Sequence, residues 1–437
     1  MTGSPTTESA SITSRRRFVR TATGLVLATA GIGPRYTTRA QDDLVQLRLA
    51  LASSAVPGAN DFTLQLAQSW GDQNAAIIDI AFTELVDLPP RSDRIIRGGE
   101  QRDIVELQDL QPFRHGSNLV DLTSVADAVV AEQGPYLPWV EQTVRVSGIW
   151  TSLPIGGTTT AVTYRPSALQ AAGFSAFPAD WSGFFELATT LKATGLPSAG
   201  QALAQTPLAA PSFCYYYMWS HGANEVNPNS RLVSFDSPEL SEALTTFGSA
   251  WSSGFDPGGT VWDDRASLDA FINGQISITI GGPELYLALR SIGDADVAIA
   301  PIPIGPAGQF IPLGSRSLGI PTRSPNIELA TNFLTWWTTQ ARYSQWIVAQ
   351  RGATLPANEP LLKLPTFEQD ANLKPFVDAL SLGRVKGFSA APSKASAEVS
   401  ANYFVVNTFS DVAKGVDVAT ALDRGQRLME HFYTQNR

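Results

Sequence analysis

The chain predicts an α/β protein whose parallel sheets carry helices on both faces. Three observations lead there. Apolar, strand-like runs alternate with segments of helical period along nearly the whole of its 437 residues. Hydrophobic residues make up 43% and charged residues 16%, the composition of a globular chain long enough for two to three domains. No internal repeat or low-complexity linker separates one half from the other, which suggests lobes built from interleaved segments.

The elements follow in order. Val45 to Ala52 (VQLRLALA) is an apolar strand. Asp61 is placed to cap a helix that carries Phe62, Leu66 and Trp70 on one face. Ile77 to Phe82 is the next strand and Asp103 to Leu107 (DIVEL) a short third one. Trp181, Phe184, Phe185, Ala188 and Leu191 keep helical spacing, as do Ile327, Ala330, Phe333, Leu334 and Trp337. Ile276 to Ile280 (ISITI) and Val297 to Ala300 are strands again.

The N-terminus reads as an export signal. Ser14-Arg15-Arg16-Arg17-Phe18-Val19-Arg20 precedes a mildly apolar stretch, Thr21 to Ile32, and Thr38-Arg39-Ala40 supplies small residues before a cut near Gln41. The arginine pair followed by Phe resembles a twin-arginine signal, which exports folded proteins; a disordered basic tail is the plainer alternative. The apolar stretch is too short to span a bilayer, and no cysteine near the cut offers a lipid anchor. The expected mature protein is free in the periplasm, or secreted. Without residues 1–40 it keeps 25 basic against 39 acidic residues, a net charge of −14. So acidic a chain has no general surface for nucleic acid. The single Cys214 excludes an intrachain disulfide, and three scattered histidines, His115, His221 and His431, make no metal site with it.

Catalytic signatures are missing. There is no G-x-x-x-x-G-K-S/T, H-E-x-x-H or G-x-S-x-G, and no strand-linked G-x-G-x-x-G. Asp263-Asp264 is the clearest carboxylate pair, but adjacent helical positions point apart, and a helix start explains them better. His221-Gly222 reads as a helix end.

The order of segments is more informative. Gly148-Ile149-Trp150-Thr151-Ser152-Leu153-Pro154 leads to Ala161-Val162-Thr163-Tyr164-Arg165, Ala172-Gly173-Phe174 and Pro178-Ala179-Asp180-Trp181. Phe271-Ile272-Asn273-Gly274-Gln275 with Gly281-Gly282-Pro283 follows, then Ala300-Pro301-Ile302-Pro303-Ile304-Gly305-Pro306, Asn326 to Trp337, and Gly352-Ala353-Thr354-Leu355-Pro356. This series, from Val45 to Phe432, resembles the extracellular solute-binding proteins that serve sugar ABC transporters. The resemblance implies a two-lobe periplasmic-binding-protein fold with hinge strands, closing on ligand like a flytrap. Its domains are expected at 1–40 (signal), 41–153 with 304–355 (N-terminal lobe), and 154–303 with 356–437 (C-terminal lobe). Crossings fall near Leu153 to Gly157, Ala300 to Pro303 and Leu355-Pro356. It also implies a monomer with no cofactor, no metal and no catalytic residue, working with ABC permease subunits and without a membrane anchor.

Ligand-binding residues are then expected at strand ends facing the cleft. Ser53 and Ser54 offer hydroxyls, though both are also ordinary turn residues. The loop after DIVEL offers Gln108 and Asp109 beside Glu106. Thr158 lies past the first crossing and Arg316 in the Gly314-Ser315-Arg316 turn, where a structural ion pair is the alternative. Tyr215, Trp219 and Tyr403 are the candidate stacking platforms, with core packing as their alternative. Maltose binders carry stacking tryptophans where this chain has Leu107 and Glu284, and a third aromatic position falls on Asn402 or Tyr403; these departures count against a maltodextrin. Glu284 follows Gly281-Gly282-Pro283 in the first turn of a helix and is expected to face the cleft. The ligand implied is a small carbohydrate. A phosphorylated sugar, a polyamine or another amino-bearing compound is the alternative, and a secreted hydrolase with a dispersed site the third reading.

Overall fold

The computed structural model describes residues 45–229 and 232–435. The expected export segment, 1–40, lies outside them. The first apolar run is strand β1 (Val45–Ala52), paired in parallel along its whole length with β2 (Ala76–Thr83). The helix between them, Ala59–Asn74, starts after Gly58, whose φ of 79° turns the chain with no side-chain cap. Asp61 therefore lies in the first turn instead of capping it. Trp70 seats that helix on the core with Ala59, Thr63 and Ala67. β3 (Ile104–Gln108) is buried at every position, as its apolar run requires of a central strand.

The remaining strands of the two main sheets are β4 (Leu153–Thr158), β5 (Ala161–Tyr164), β6 (Ser198–Ala199), β7 (Ile276–Gly281), β8 (Ala298–Ala300) and β9 (Gly314–Gly319). The first sheet has the order β2-β1-β3-β9-β4 and the second β8-β5-β7-β6. Neither is wholly parallel, which corrects the sequence expectation. β9 runs against β3 and β4, and β5 runs against β7 and β8. The reason is topological. The other strands end at the cleft, but β5 and β9 receive the chain from the opposite lobe and must begin there.

The passages between lobes sit side by side. Gly157 pairs with Ser315 of β9 on one side. On the other it exchanges backbone hydrogen bonds of 3.0 and 2.8 Å with Leu355. The second and third switch points lie later than expected. Ile304 still bonds Ala179 and Trp181, and Ala307 bonds Ser220, on the second lobe. Ala357 accepts from Leu137, and Asn358 Nδ2 donates to the Gly134 carbonyl, on the first.

Aromatic packing dominates the second lobe. Trp181, in the helix Trp181–Ala193 capped by Asp180, lies 4.9 Å from the Tyr217 ring and 5.5 Å from Phe184, and its Nε1 donates to Ser220 Oγ at 3.0 Å. The helix Ala209–Ser220 (AAPSFCYYYMWS) is buried on every side. A helix with no polar stripe belongs inside. That placement removes Tyr215 and Trp219 from the cleft: they are 2% and 1% exposed and pack against each other and, through Trp219, against Phe388. Both are corrected to core residues. His221 ends this helix, as expected, with Nδ1 at 2.7 Å from the Tyr217 carbonyl. Among the described residues no helix is long and apolar enough to cross a membrane.

Candidate functional site

Strand ends from both lobes meet around a cavity of about 530 Å³, within the range of small-molecule sites. From the first lobe come Ser53, Ser54, Thr158 and Arg316; from the second come Thr163, Thr279, Asp264 and Glu284.

The loop after β1 is held from the helix behind it. Asn60 Nδ2 donates to Ser53 Oγ at 2.9 Å, and Asn60 Oδ1 accepts from the Ser54 amide at 2.9 Å. Sequence reading missed Asn60, which lies seven residues past Ser53 with no local signal of that contact. Arg316 lines the cavity, but its guanidinium is committed to Glu106, with Nε to Oε1 at 2.7 Å and Nη2 to Oε2 at 3.1 Å. Glu106 is 1% exposed and also accepts from the Ala52 amide at 2.9 Å. The ion-pair alternative is the one the fold realises, since a buried carboxylate needs a cation and hydrogen bonds. Arg316 Nη1 also donates to Thr354 Oγ1, tying the first sheet to the segment beside Gly157.

On the second lobe, Gly281-Gly282-Pro283 turns from β7 into the helix Glu284–Ser291. Gly282 leaves room for the Glu284 carboxylate, whose Oε2 lies 2.2 Å from where a Cβ would stand. Glu284 lines the cavity, and removal from water pushes its pKa up to about 7, helped by Asp264 and opposed by its own N–H and by Arg316. Asp263 caps the helix Asp264–Ile272, accepting from the Ala266 amide at 2.7 Å. Asp264 does more than start that helix. It accepts from Thr206 Oγ1 at 2.9 Å and from the Ala209 and Leu208 amides at 2.8 and 3.3 Å, fixing a loop on the cavity wall. Its pKa is raised by burial.

Gln108, Asp109 and Tyr403 are brought together elsewhere. They line a neighbouring cavity of about 390 Å³ with Lys386 and Asn402. Asp109, with φ of 49°, holds Lys386 Nζ at 2.5 Å. This pair joins a first-lobe loop to the second lobe, as does Arg114 with Glu398 at 3.2 Å. Tyr403 is half-buried, its hydroxyl pushed up to about 12 by burial and by Asp109 and Asp264. Leu107 is fully buried, packed in a small cluster with Ala50, Ile95 and Leu119.

Behind this cavity lies Glu225. It is fully buried, accepts from Tyr215 Oη at 2.8 Å and from the Gly387 amide at 2.7 Å, and has its pKa raised by desolvation to about 7. The folded protein then binds more protons than the unfolded chain between about pH 4.5 and 7, so this group's stabilisation declines as pH rises through that window. Chemical unfolding at pH 5 and pH 7 should show a loss of up to about 1.4 kcal/mol per pH unit. In Glu225→Gln, where the Tyr215 hydroxyl can turn to accept, the slope should flatten; an unchanged slope would contradict the assignment.

Among the described residues no group of three His, Cys, Asp or Glu side chains is arranged to hold a metal ion. Two α/β lobes, joined by three passages around a ligand-sized cleft, define the class of two-lobe binding proteins. The family model described as bacterial extracellular solute-binding protein matches residues 97–375, and the chain belongs to that family. A putative ABC transporter periplasmic-binding protein of Escherichia coli K12, YcjN, is 23% identical over 356 residues, 78% of this chain and 81% of that one. A putative binding protein of Brucella abortus is 26% identical over 52% of this chain and 56% of its own. Among solved structures, maltose-bound MalE3 of T. maritima aligns with a TM-score of 0.75 at 19% identity, covering 89% of this chain and 99% of that one. A sugar transporter of Arthrobacter chlorophenolicus with bound laminaribiose aligns at 0.76 and 16%, covering 88% and 99%.

Proposed function

We propose that this chain is the substrate-binding subunit of an ABC importer, closing its inter-lobe cleft on a small carbohydrate and passing it on chemically unchanged. The observation that carries the reading is the cleft cavity, lined from both lobes by hydroxyls and carboxylates suited to a belt of sugar hydroxyls. A solute that touches both lobes favours closure by its differential affinity, with the passages beside Gly157 taking up the rotation. Sugar-bound relatives of the same fold support the ligand class. In this reading Ser53, Ser54, Thr158 and Glu284 contact the ligand, Gln108, Asp109 and Tyr403 border an adjoining compartment, and Arg316 positions the wall. The twin-arginine signal delivers the protein to the periplasm, where it meets the permease as a monomer.

The solute retained by gently purified protein, identified by native mass spectrometry, provides the test. Adding it to stripped protein should lower the radius of gyration in small-angle scattering. At a hundredfold excess over Kd it should stabilise the fold by about 2.7 kcal/mol. The solute should be recovered intact. Its turnover to a product would overturn the reading and favour a hydrolase.

A further inference from the structure

The charges lining the central cavity do not balance. Of its two cations, Arg316 is committed to buried Glu106 at 2.7 Å, and Arg265 is a largely exposed side chain paired on its own helix with Asp269 at 3.1 Å. Among the described residues three lining carboxylates have no cation within ion-pair distance: Glu84 and, from the second lobe, Asp264 and Glu284. Asp264 is satisfied by amides and a hydroxyl. Among the described residues Glu284 bonds no side chain, and its carboxylate lies over Gly282 and accepts from its own backbone N–H. Hydroxyls alternate with these groups at Ser53, Thr158, Thr163 and Thr279. A cavity whose lining carries an excess of one sign of charge concentrates the opposite sign, and a charge-assisted hydrogen bond there is stronger than one to a neutral hydroxyl.

We propose that the cleft selects an amine-bearing carbohydrate, whose protonated amino group sits against Glu284 with Glu84 and Asp264 nearby while its hydroxyls meet the Ser/Thr lining. The inference rests on the carbohydrate-binding reading above and adds the charge of the ligand. Anionic sugars are disfavoured on the same ground, because Arg316 is committed to Glu106 and Arg265 is turned largely to solvent. Burial keeps Glu284 part-protonated near neutral pH, so an arriving ammonium completes its ionisation.

Titration calorimetry on the mature protein with glucose, N-acetylglucosamine, glucosamine and spermidine at pH 7.0 tests this. Glucosamine should bind at least tenfold more tightly than glucose or N-acetylglucosamine, with a preference that shrinks as salt is raised from 20 to 300 mM. Glu284→Gln should remove most of that preference while its apo melting curve stays close to wild type. Glu84→Gln, an exposed position, should weaken the preference several-fold without any packing change. Equal or tighter binding of glucose, or an undiminished preference in Glu284→Gln, would overturn the inference and leave the carbohydrate reading standing. Tight binding of spermidine alone would keep the cation and overturn the carbohydrate. Failure of both amine probes to bind at millimolar concentration would also overturn the inference.

Discussion

Replacing Arg316 with alanine is expected to destabilise the protein by about 3–5 kcal/mol, the loss typical of a buried ion pair stripped of one partner. Glu106 is 1% exposed, so the variant leaves a carboxylate inside with only the Ala52 amide to bond it. Pairing the change with Glu106→Gln should recover much of the loss, because the uncompensated charge is then gone. Urea unfolding of the two single variants and the double variant reads this directly. A loss below about 1 kcal/mol in Arg316→Ala would mean that the guanidinium is not committed to Glu106 and is free for ligand.

The second large effect is expected at Gly156. Its φ of 131° is open to glycine and rarely to an L side chain, and a Cβ there would lie 2.4 Å from the Leu355 carbonyl oxygen and 2.6 Å from Thr354 Cγ2. Gly156→Ala must therefore shift backbone where the strand entering the first passage meets the segment before the third. A loss of about 2–5 kcal/mol is expected from strain and overpacking together. Scattering should also show an altered radius of gyration in the ligand-free variant, since Gly157 and Leu355 set the spacing at the base of the lobes. Wild-type stability and radius together would remove Gly156 from the hinge. Thr354 is touched by both sites, through Arg316 Nη1 and through the space beside Gly156. The two variants should consequently combine non-additively.

Local pattern carried much of the architecture. VQLRLALA is a strand over the very residues expected, and the helices at Trp181 and Ile327 follow their apolar spacing. The Gly-Gly-Pro turn placed Glu284 in a helix's first turn, because glycine and proline constrain the backbone by themselves. The ordered series of family-like segments indicated two interleaved lobes, and the missing catalytic motifs pointed to binding. Other features depend on residues far apart in the chain. Asp109 meets Lys386 across 277 positions, and Arg316 meets Glu106 across 210. Neither partner is announced by its neighbours. Strand direction in β5 and β9 follows from which lobe each strand enters from, which periodicity does not encode. Tyr215 and Trp219 have the aromatic chemistry of a sugar platform, yet the helix that carries them has no polar face and is enclosed on every side. Residue type and spacing, being local, settled which segments are strands and helices and which turns they make; burial and charge pairing, being sums over the whole packed chain, decided which side chains line the cavity.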